Sequence, residues 1–278
     1  MTTRQVQRLI NAHDAMDGAG VKIKRISLMN QGLGDPFLLL DEIRSDDPED
    51  HIAGFPPHPH RGIETLTYIR KGGIRHEDHL GNQGEIKSGG AQWMSSGKGV
   101  IHSEMPLKEN QQLHGFQLWI NMSAKNKLNA PDYRDVHPDH MPTVNTDDYR
   151  ATVIAGKWRL DGKAYDGPLS NLAAGVAYLD LELNAGGQFV QPVDNCRHVV
   201  AYIYEGEVQA GQTLSQQQMA LFEEEGMVKF YSEAGAKLLL LHGVPHKEPI
   251  AHYGPFVMNT MDEIEQAIQD YQNGVLTG

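Results

Sequence analysis

The sequence predicts an all-β protein built from two tandem barrels, with one helix near the C-terminal end. The first observation is the turn pattern, because 29 glycines are spread along the 278 residues instead of gathering in one linker. The second is what lies between them: short runs rich in β-branched, aromatic and leucine residues, which are typical of strands in barrels or sandwiches. Such runs occupy residues 64–69, 116–121, 176–183, 198–203 and 237–242.

An internal repeat is the third observation. Residues 67–74 align with residues 201–208, which matches tyrosine with tyrosine, isoleucine with isoleucine and Gly72 with Gly206. The shift, 201 − 67 = 134 residues, is close to half the chain. Because domains commonly have roughly 100 to 200 residues, the repeat predicts two barrels of one type.

The domain boundary is expected in the polar stretch 137–150, which gives domains 1–143 and 144–278. The second domain includes the predicted helix over residues 261–272. Thr260 followed by Glu263 forms a capping box at its start, and apolar residues then recur at helical spacing. These residues are Ile264, Ala267, Ile268 and Tyr271. Residues 5–10 fit either a short strand or a helical turn.

The composition excludes several classes of function. Lys and Arg number 24 against 36 Asp and Glu, and the resulting net charge of −12 disfavours direct contact with a phosphate backbone. No run approaches the ~20 apolar residues of a membrane helix, and the N-terminus lacks a secretory apolar segment. Cys196 is the single cysteine, so an internal disulfide is impossible. We therefore expect a cytoplasmic protein that binds neither membrane nor nucleic acid directly.

Two short motifs form the strongest candidate site: His58-Pro59-His60 and His102-Ser103-Glu104. Residues i and i+2 of a strand point to the same face, so two neighbouring strands would bring all four side chains together. Three imidazoles and a carboxylate suit a divalent first-row metal and leave coordination positions open for a substrate. The alternative is that these histidines are exposed in polar loops.

The shift of 134 residues carries His58 onto Pro192 and His60 onto Asp194, so the second copy lacks the histidine pair. The sequence therefore predicts metal in the first barrel and none in the second. His76 is expected on the surface of a hairpin.

Several longer runs carry a family resemblance. Residues 35–42, 58–65, 93–104, 114–119 and 254–260 closely resemble the pirins, including bacterial ones, which belong to the cupin superfamily. The resemblance implies a bicupin, with two double-stranded β-helix (jelly-roll) barrels and metal in the N-terminal one. It also implies a ligand set, which is His58, His60, His102 and Glu104.

The usual pirin metal is iron, expected here as Fe(II), and related cupins accept Mn, Co, Ni, Cu or Zn. Glu64 occupies the slot in which the general cupin pattern places a glutamate ligand. We favour Glu104 as the ligand. We expect Glu64 and Gln117 to lie next to the metal ligands without binding the metal themselves. The side chains expected to line a substrate pocket are Phe55, Met94, Phe116 and Trp119.

The resemblance implies two functions. The first is that of a metal-dependent quercetin 2,3-dioxygenase, an oxidoreductase that opens a flavonol ring with O2 and releases CO. Glu104 would then be the catalytic acceptor of the substrate's hydroxyl proton. The alternative is a metal- or redox-responsive regulatory protein that binds a protein partner, as a transcription cofactor or a modulator of a metabolic enzyme. The same four ligands would serve either function.

Overall fold

The structure is a computed structural model that describes residues 2–29, 33–107 and 112–278. Its first strands are β1 (Val6–Asn11), β2 (His13–Asp17), β3 (Val21–Ser27), β4 (Phe37–Ser45), β5 (Phe55–His60), β6 (Ile63–Lys71), β7 (Gly73–Asp78), β8 (Gln83–Lys87), β9 (Ala91–Ser95), β10 (Val100–Pro106), β11 (Leu113–Asn121) and β12 (Asp132–Val136). The later elements are β13 (Thr143–Asn145), β14 (Tyr149–Ala155), β15 (Lys157–Leu160), β16 (Lys163–Asp166), β17 (Ala177–Leu183), β18 (Gly187–Pro192), β19 (His198–Gln209), β20 (Thr213–Ser215), β21 (Gln218–Phe222), β22 (Met227–Ser232), β23 (Ala236–Gly243), β24 (Ala251–Tyr253), β25 (Phe256–Met258) and helix α1 (Met261–Gln272). The all-β prediction is confirmed.

The chain forms two compact units, and each unit includes one terminal segment that is separated in sequence from the rest of that unit. The first barrel consists of residues 13–138 and 246–278, and the second consists of residues up to 12 together with 139–245. This division differs from one at residue 143, because β1 pairs with β21 and thereby joins the second barrel. Among the described residues, no helix has the length and apolar character needed to cross a membrane.

The predicted helix is confirmed, including its capping box. Thr260 Oγ1 accepts the Glu263 amide hydrogen at 3.2 Å, while the Glu263 carboxylate accepts the Thr260 amide hydrogen at 2.9 Å. The apolar stripe of α1 packs on the first barrel, unlike the predicted assignment to the second domain. Ile264 and Ala267 are buried there in a cluster with Phe256.

Two sheets form the first barrel. One has seven strands in the order β12-β9-β6-β11-β4-β3-β2, and the other has four in the order β5-β10-β7-β8. One end of the interior is apolar and is filled by Val21, Ile23, Ile43, Ile69, Ile74, Ile86 and Leu113. Further along the same strands the inward positions become polar, as where Gln117 pairs with both Asp41 and Thr67. The interior of the first barrel is therefore apolar at one end and polar further along the strands.

The second barrel is filled by apolar side chains. Its main sheet runs β1-β21-β19-β23-β17-β14-β13, with β18, β20 and β22 attached beside this path. Its core has more than twenty buried hydrophobic residues, among them Phe189, Phe222, Phe230, Leu238 and Leu240. Burial of such side chains contributes roughly 1.5 to 3 kcal/mol each.

The predicted repeat is visible in the structure, with one correction. Gly72 and Gly206 both adopt positive φ, at 83° and 76°, a left-handed conformation that glycine adopts without steric cost. The shift of 134 residues does not hold in the strand before these glycines, because it carries buried His60 onto exposed Asp194. The inward position of β18 nearest to Asp194 is Gln191. A slip of one residue in a strand moves every side chain to the other face.

A buried arginine joins two loops of the second barrel. Arg4 is 1% exposed, and its guanidinium donates five hydrogen bonds of 2.9 to 3.1 Å to backbone carbonyls. The acceptors belong to Val193, Asp194, Arg197, Glu223 and Gly226. All five N–H donors of an arginine are thereby satisfied, so the guanidinium ties together two loops that follow β18 and β21.

Candidate metal centre

Three of the predicted ligands lie together on one face of the four-stranded sheet. His102 of β10 is directly opposite His58 of β5, and His60 lies two residues further along β5. The ring centroids are 4.4 to 5.0 Å apart. One nitrogen from each ring can be chosen so that all three lie within 4.8 Å of one another. This spacing suits three ligands of one metal ion.

Hydrogen bonds to the backbone orient two of these rings. His58 Nδ1 lies 2.8 Å from the Pro56 carbonyl oxygen, and His60 Nδ1 lies 3.3 Å from that of Pro255. Because a carbonyl oxygen can only accept, each Nδ1 carries the hydrogen and each Nε2 keeps its lone pair. Metal-binding histidines are commonly oriented in this way.

Burial keeps two histidines of the triad, His60 and His102, neutral. It lowers the pKa of His60 to about 3, with a further contribution from neighbouring His58. Burial also lowers the pKa of His102 well below its usual range, and His60 adds to that effect. His102 Nε2 is buried and has no hydrogen-bond partner among the described residues. Neutral imidazoles with an unused nitrogen fit a divalent metal, which satisfies such an atom.

Glu104 lies on β10, two residues from His102, and is 2% exposed. Its Oε1 accepts the Thr67 hydroxyl at 3.2 Å, and its Oε2 accepts the Gln117 amide at 2.7 Å. The Trp119 indole N–H donates in turn to Gln117 Oε1 at 3.4 Å. The carboxylate does not belong to the close group formed by the three imidazoles, yet each of its oxygens retains a second lone pair.

A cavity of about 570 Å³ opens beside His58 and His60. Of the residues predicted to form or support a pocket, Phe55, Trp119 and Gln117 line it. Met94 is 1% exposed and pairs with Thr65 on the inward face, outside this lining. The cavity has the size of a typical small-molecule site.

The strand register places Phe116 and Glu64 on the opposite face of the seven-stranded sheet. Phe116 precedes inward-facing Gln117 and pairs with Tyr68, and its ring lies 5.1 Å from that of His114. Glu64 pairs with Ile120 on that same face. Because neighbouring residues alternate across a strand, neither side chain points toward the cavity.

One histidine of the site was predicted wrongly as a surface residue. His76 is 0% exposed and lies on β7, where it pairs with Glu104. Its Nδ1 is 3.4 Å from His102 Nδ1. The alternation of Ile74 and His76 along β7 was the available signal, since both residues point inward.

Sequence reasoning also missed a charged wall of the cavity. Arg25 donates from Nε to Asp41 Oδ1 at 2.8 Å and from Nη2 to Asp41 Oδ2 at 2.6 Å. Its Nη2 also donates to Asp17. Asp41 is 5% exposed, and the residue pairing that brings Arg25 beside it joins β3 to β4. Arg25 and Asp17 line the cavity, and the contact of Arg25 with Asp41 depends on the register of β3 against β4, which no local motif encodes.

A buried lysine supports the turn that follows His60. Lys127 is 1% exposed, and its ammonium donates to the carbonyl oxygens of Gly62 at 2.7 Å and Val257 at 3.0 Å, and to Asn121 Oδ1 at 2.7 Å. Burial lowers the pKa of Lys127 to about 8, which leaves it protonated at neutral pH. A Cβ on Gly62 would lie 2.1 Å from the Val257 oxygen, so this close approach requires glycine.

Comparisons with known proteins agree with this architecture. The family model for pirin matches residues 21–120, and that for the pirin C-terminal cupin domain matches residues 178–277. A Pseudomonas aeruginosa protein, provisionally named quercetin 2,3-dioxygenase, is 46% identical over 280 residues and covers 98% of both chains. Mouse pirin is 34% identical over 283 residues, covering 98% of this chain and 93% of its own.

A solved structure gives the same result. The crystal structure of quercetin 2,3-dioxygenase from Acinetobacter baumannii superposes with a TM-score of 0.90 at 28% identity, covering 99% of both chains. The fold and the histidine triad therefore define a bicupin with a candidate metal centre in one barrel. The chain belongs to the pirin family.

Proposed function

We propose that the protein is a metal-dependent dioxygenase of the quercetin 2,3-dioxygenase type, which opens a flavonol ring with O2 and releases CO. The observation that carries this proposal is the histidine triad at the edge of the 570 Å³ cavity. A substrate in this cavity would lie against His58 and His60. The names of the Pseudomonas and Acinetobacter relatives support the same reaction.

The proposed ligands are His58, His60, His102 and Glu104, and the proposed metal is Fe(II), with Mn, Co, Ni, Cu or Zn as alternatives. When bound, such an ion supplies Lewis acidity and orientation for an oxygen substituent of the substrate. The buried Nε2 of His102 and the two carbonyl-anchored rings fit this role.

Glu104 is the proposed acceptor of the hydroxyl proton of the flavonol. Its carboxylate is held by Gln117, and Gln117 itself lines the cavity. Thr67 holds the other oxygen, so the carboxylate is oriented before a substrate arrives. Preorganised groups of this kind lower the cost of reaching the reactive geometry.

Apolar side chains would hold the flat substrate and exclude water. Phe55, Trp119 and three prolines line the cavity, namely Pro56, Pro57 and Pro255. The Trp119 ring lies 5.1 Å from the His60 ring in an edge-to-face arrangement, so it borders the triad directly. Aromatic walls favour planar ligands.

Oxygen uptake and CO release with quercetin test the proposal. Metal-loaded protein should consume oxygen and release CO, and His60→Ala should abolish both. His140→Ala is the matched control, because His140 is exposed and belongs to the second barrel. Equal oxygen uptake by the parent and His60→Ala would overturn the proposal, as would uptake without CO.

A further inference from the structure

His102 differs from the other two histidines of the triad in the partner of its Nδ1. His58 and His60 each face a backbone carbonyl oxygen, whereas His102 Nδ1 faces the Nδ1 of another imidazole, that of His76, at 3.4 Å. A carbonyl accepts in every case, but an imidazole nitrogen accepts only when it lacks a hydrogen.

The two facing nitrogens fix the tautomers of both rings. One of them must carry a hydrogen and the other a lone pair, since two lone pairs or two hydrogens would repel. If His102 presents the lone pair of Nε2 to a metal, its own hydrogen is on Nδ1. His76 must then accept at Nδ1 and carry its hydrogen on Nε2, which is buried and has no hydrogen-bond partner among the described residues.

The surroundings hold the His76 ring in this orientation. It stacks on Tyr133 with a centroid distance of 5.5 Å and an interplanar angle of 9°. The Tyr133 hydroxyl donates to Asp135 at 3.0 Å, and the Gln92 amide donates to the other oxygen of Asp135 at 2.7 Å. Opposite His76 on β8 lies Gly84, where a Cβ would come within 2.2 Å of that same carboxylate.

We propose that His76 is a positioning residue for the metal centre: its Nδ1 accepts the Nδ1–H of His102 and holds His102 in the tautomer and rotation that present Nε2 to the metal. This role rests on the metal site of the proposed function and is independent of the oxygenation step. Outer partners of metal-binding histidines typically change metal affinity by about 10- to 100-fold.

Two substitutions separate the hydrogen bond from the packing of the ring. His76→Phe keeps a ring that can stack on Tyr133 but removes the acceptor. His76→Asn removes the ring but keeps an acceptor oxygen at the same number of bonds from Cβ as Nδ1. We expect metal affinity to fall about 10- to 100-fold in His76→Phe and clearly less in His76→Asn. A role in packing alone predicts the reverse order.

The matched controls are His242→Phe and His242→Asn. His242 is also buried and also contacts an aromatic ring, that of Trp158 at 4.8 Å, but it belongs to the second barrel. Both control variants should bind metal with the affinity of the parent.

Metal affinity is measured by competition with a chromophoric chelator for Co(II), and thermal unfolding of the metal-free variants reports folding. Proton NMR of the Co(II) form adds a second measurement, because the ligand N–H resonance of His102 should shift in His76→Phe while those of His58 and His60 stay in place. Parental affinity in His76→Phe, or weaker binding by the Asn variant than by the Phe variant, would overturn the role of His76 and leave the metal site intact. Failure of the parent itself to bind metal would overturn both.

Discussion

One pair of neighbouring strands carries polar inward side chains in the first barrel and apolar ones in the second. In the first barrel, β5 and β10 place His58 opposite His102. In the second, β18 and β22 place Phe189 opposite Phe230. The backbone pairing is antiparallel in both cases. The backbone hydrogen bonds between the two strands therefore form with either polar or apolar side chains on the inward face. A barrel of this type can therefore be either a site or a solid core.

Each barrel also contains a buried cation that binds backbone carbonyls. Arg4 in the second barrel donates to five of them, whereas Lys127 in the first donates to two and to one side-chain amide. The difference follows from the number of N–H donors, since a guanidinium has five and an ammonium three. Arg4 joins loops of the core-filled barrel, while Lys127 supports the turn beside His60.

The largest expected effect separates site from core. His102→Ala should lower metal affinity by more than ~100-fold, because a ligand and not merely its support is lost, with little change in the stability of the metal-free protein. Phe230→Ala should leave metal affinity unchanged and lower the free energy of unfolding by about 3 to 5 kcal/mol. Chelator competition and urea unfolding measure the two quantities. Loss of metal affinity in Phe230→Ala would show that the barrels are not independent.

Replacing the cation of the second barrel should come next. Arg4→Met removes five hydrogen bonds to carbonyl groups, and we expect a loss of about 3 kcal/mol in the free energy of unfolding. Metal affinity should remain that of the parent, because every acceptor belongs to the second barrel. Chemical denaturation with and without metal tests this, and Arg8→Met serves as an exposed control. A loss no larger than that of the control would contradict the structural role of Arg4.

Lys127→Met is the corresponding change in the first barrel. We expect a smaller loss of about 2 kcal/mol, since three hydrogen bonds disappear and the new side chain is apolar. Metal affinity should also fall, by about 3- to 10-fold, because the Gly62 carbonyl lies two residues from His60. Equal metal affinity in Lys127→Met and Arg4→Met would contradict the prediction that Lys127, unlike Arg4, supports the metal centre.

The effect that is smallest at neutral pH, because it develops only in acid, is a pH dependence of the second barrel. Burial, assisted by Arg197 and Arg4, lowers the pKa of His242 to about 3. Below about pH 6.5, His242 binds a proton in the unfolded state but remains unprotonated in the folded state until the pH approaches 3. The free energy of unfolding should therefore fall by about 1.4 kcal/mol per pH unit from this group between roughly pH 6 and pH 3. His242→Phe should show a shallower slope in urea unfolding at several pH values, and a slope equal to that of the parent would contradict the prediction.

Local patterns predicted much of the site. The motifs at 58–60 and 102–104 alternate, and the structure places their three histidines within ligand distance. Alternation along β7 could have placed His76 inside the barrel, but its contact with His102 arises from the pairing of β7 with β10, which no local pattern encodes. The sequence also misassigned the direction of Phe116, since one register step decides whether a strand residue faces the cavity or the opposite face.

The sequence by itself determined the strand-rich composition, the repeated glycine, the capped helix and the three histidines. These features depend on residues close together in the chain, where turn chemistry and side-chain alternation act directly. Only the tertiary structure decided that the chain ends are exchanged between barrels, that Arg4 binds the loops of the second barrel and that His76 faces His102. Those arrangements depend on contacts between distant segments, whose geometry is set by packing and sheet register and not by local sequence.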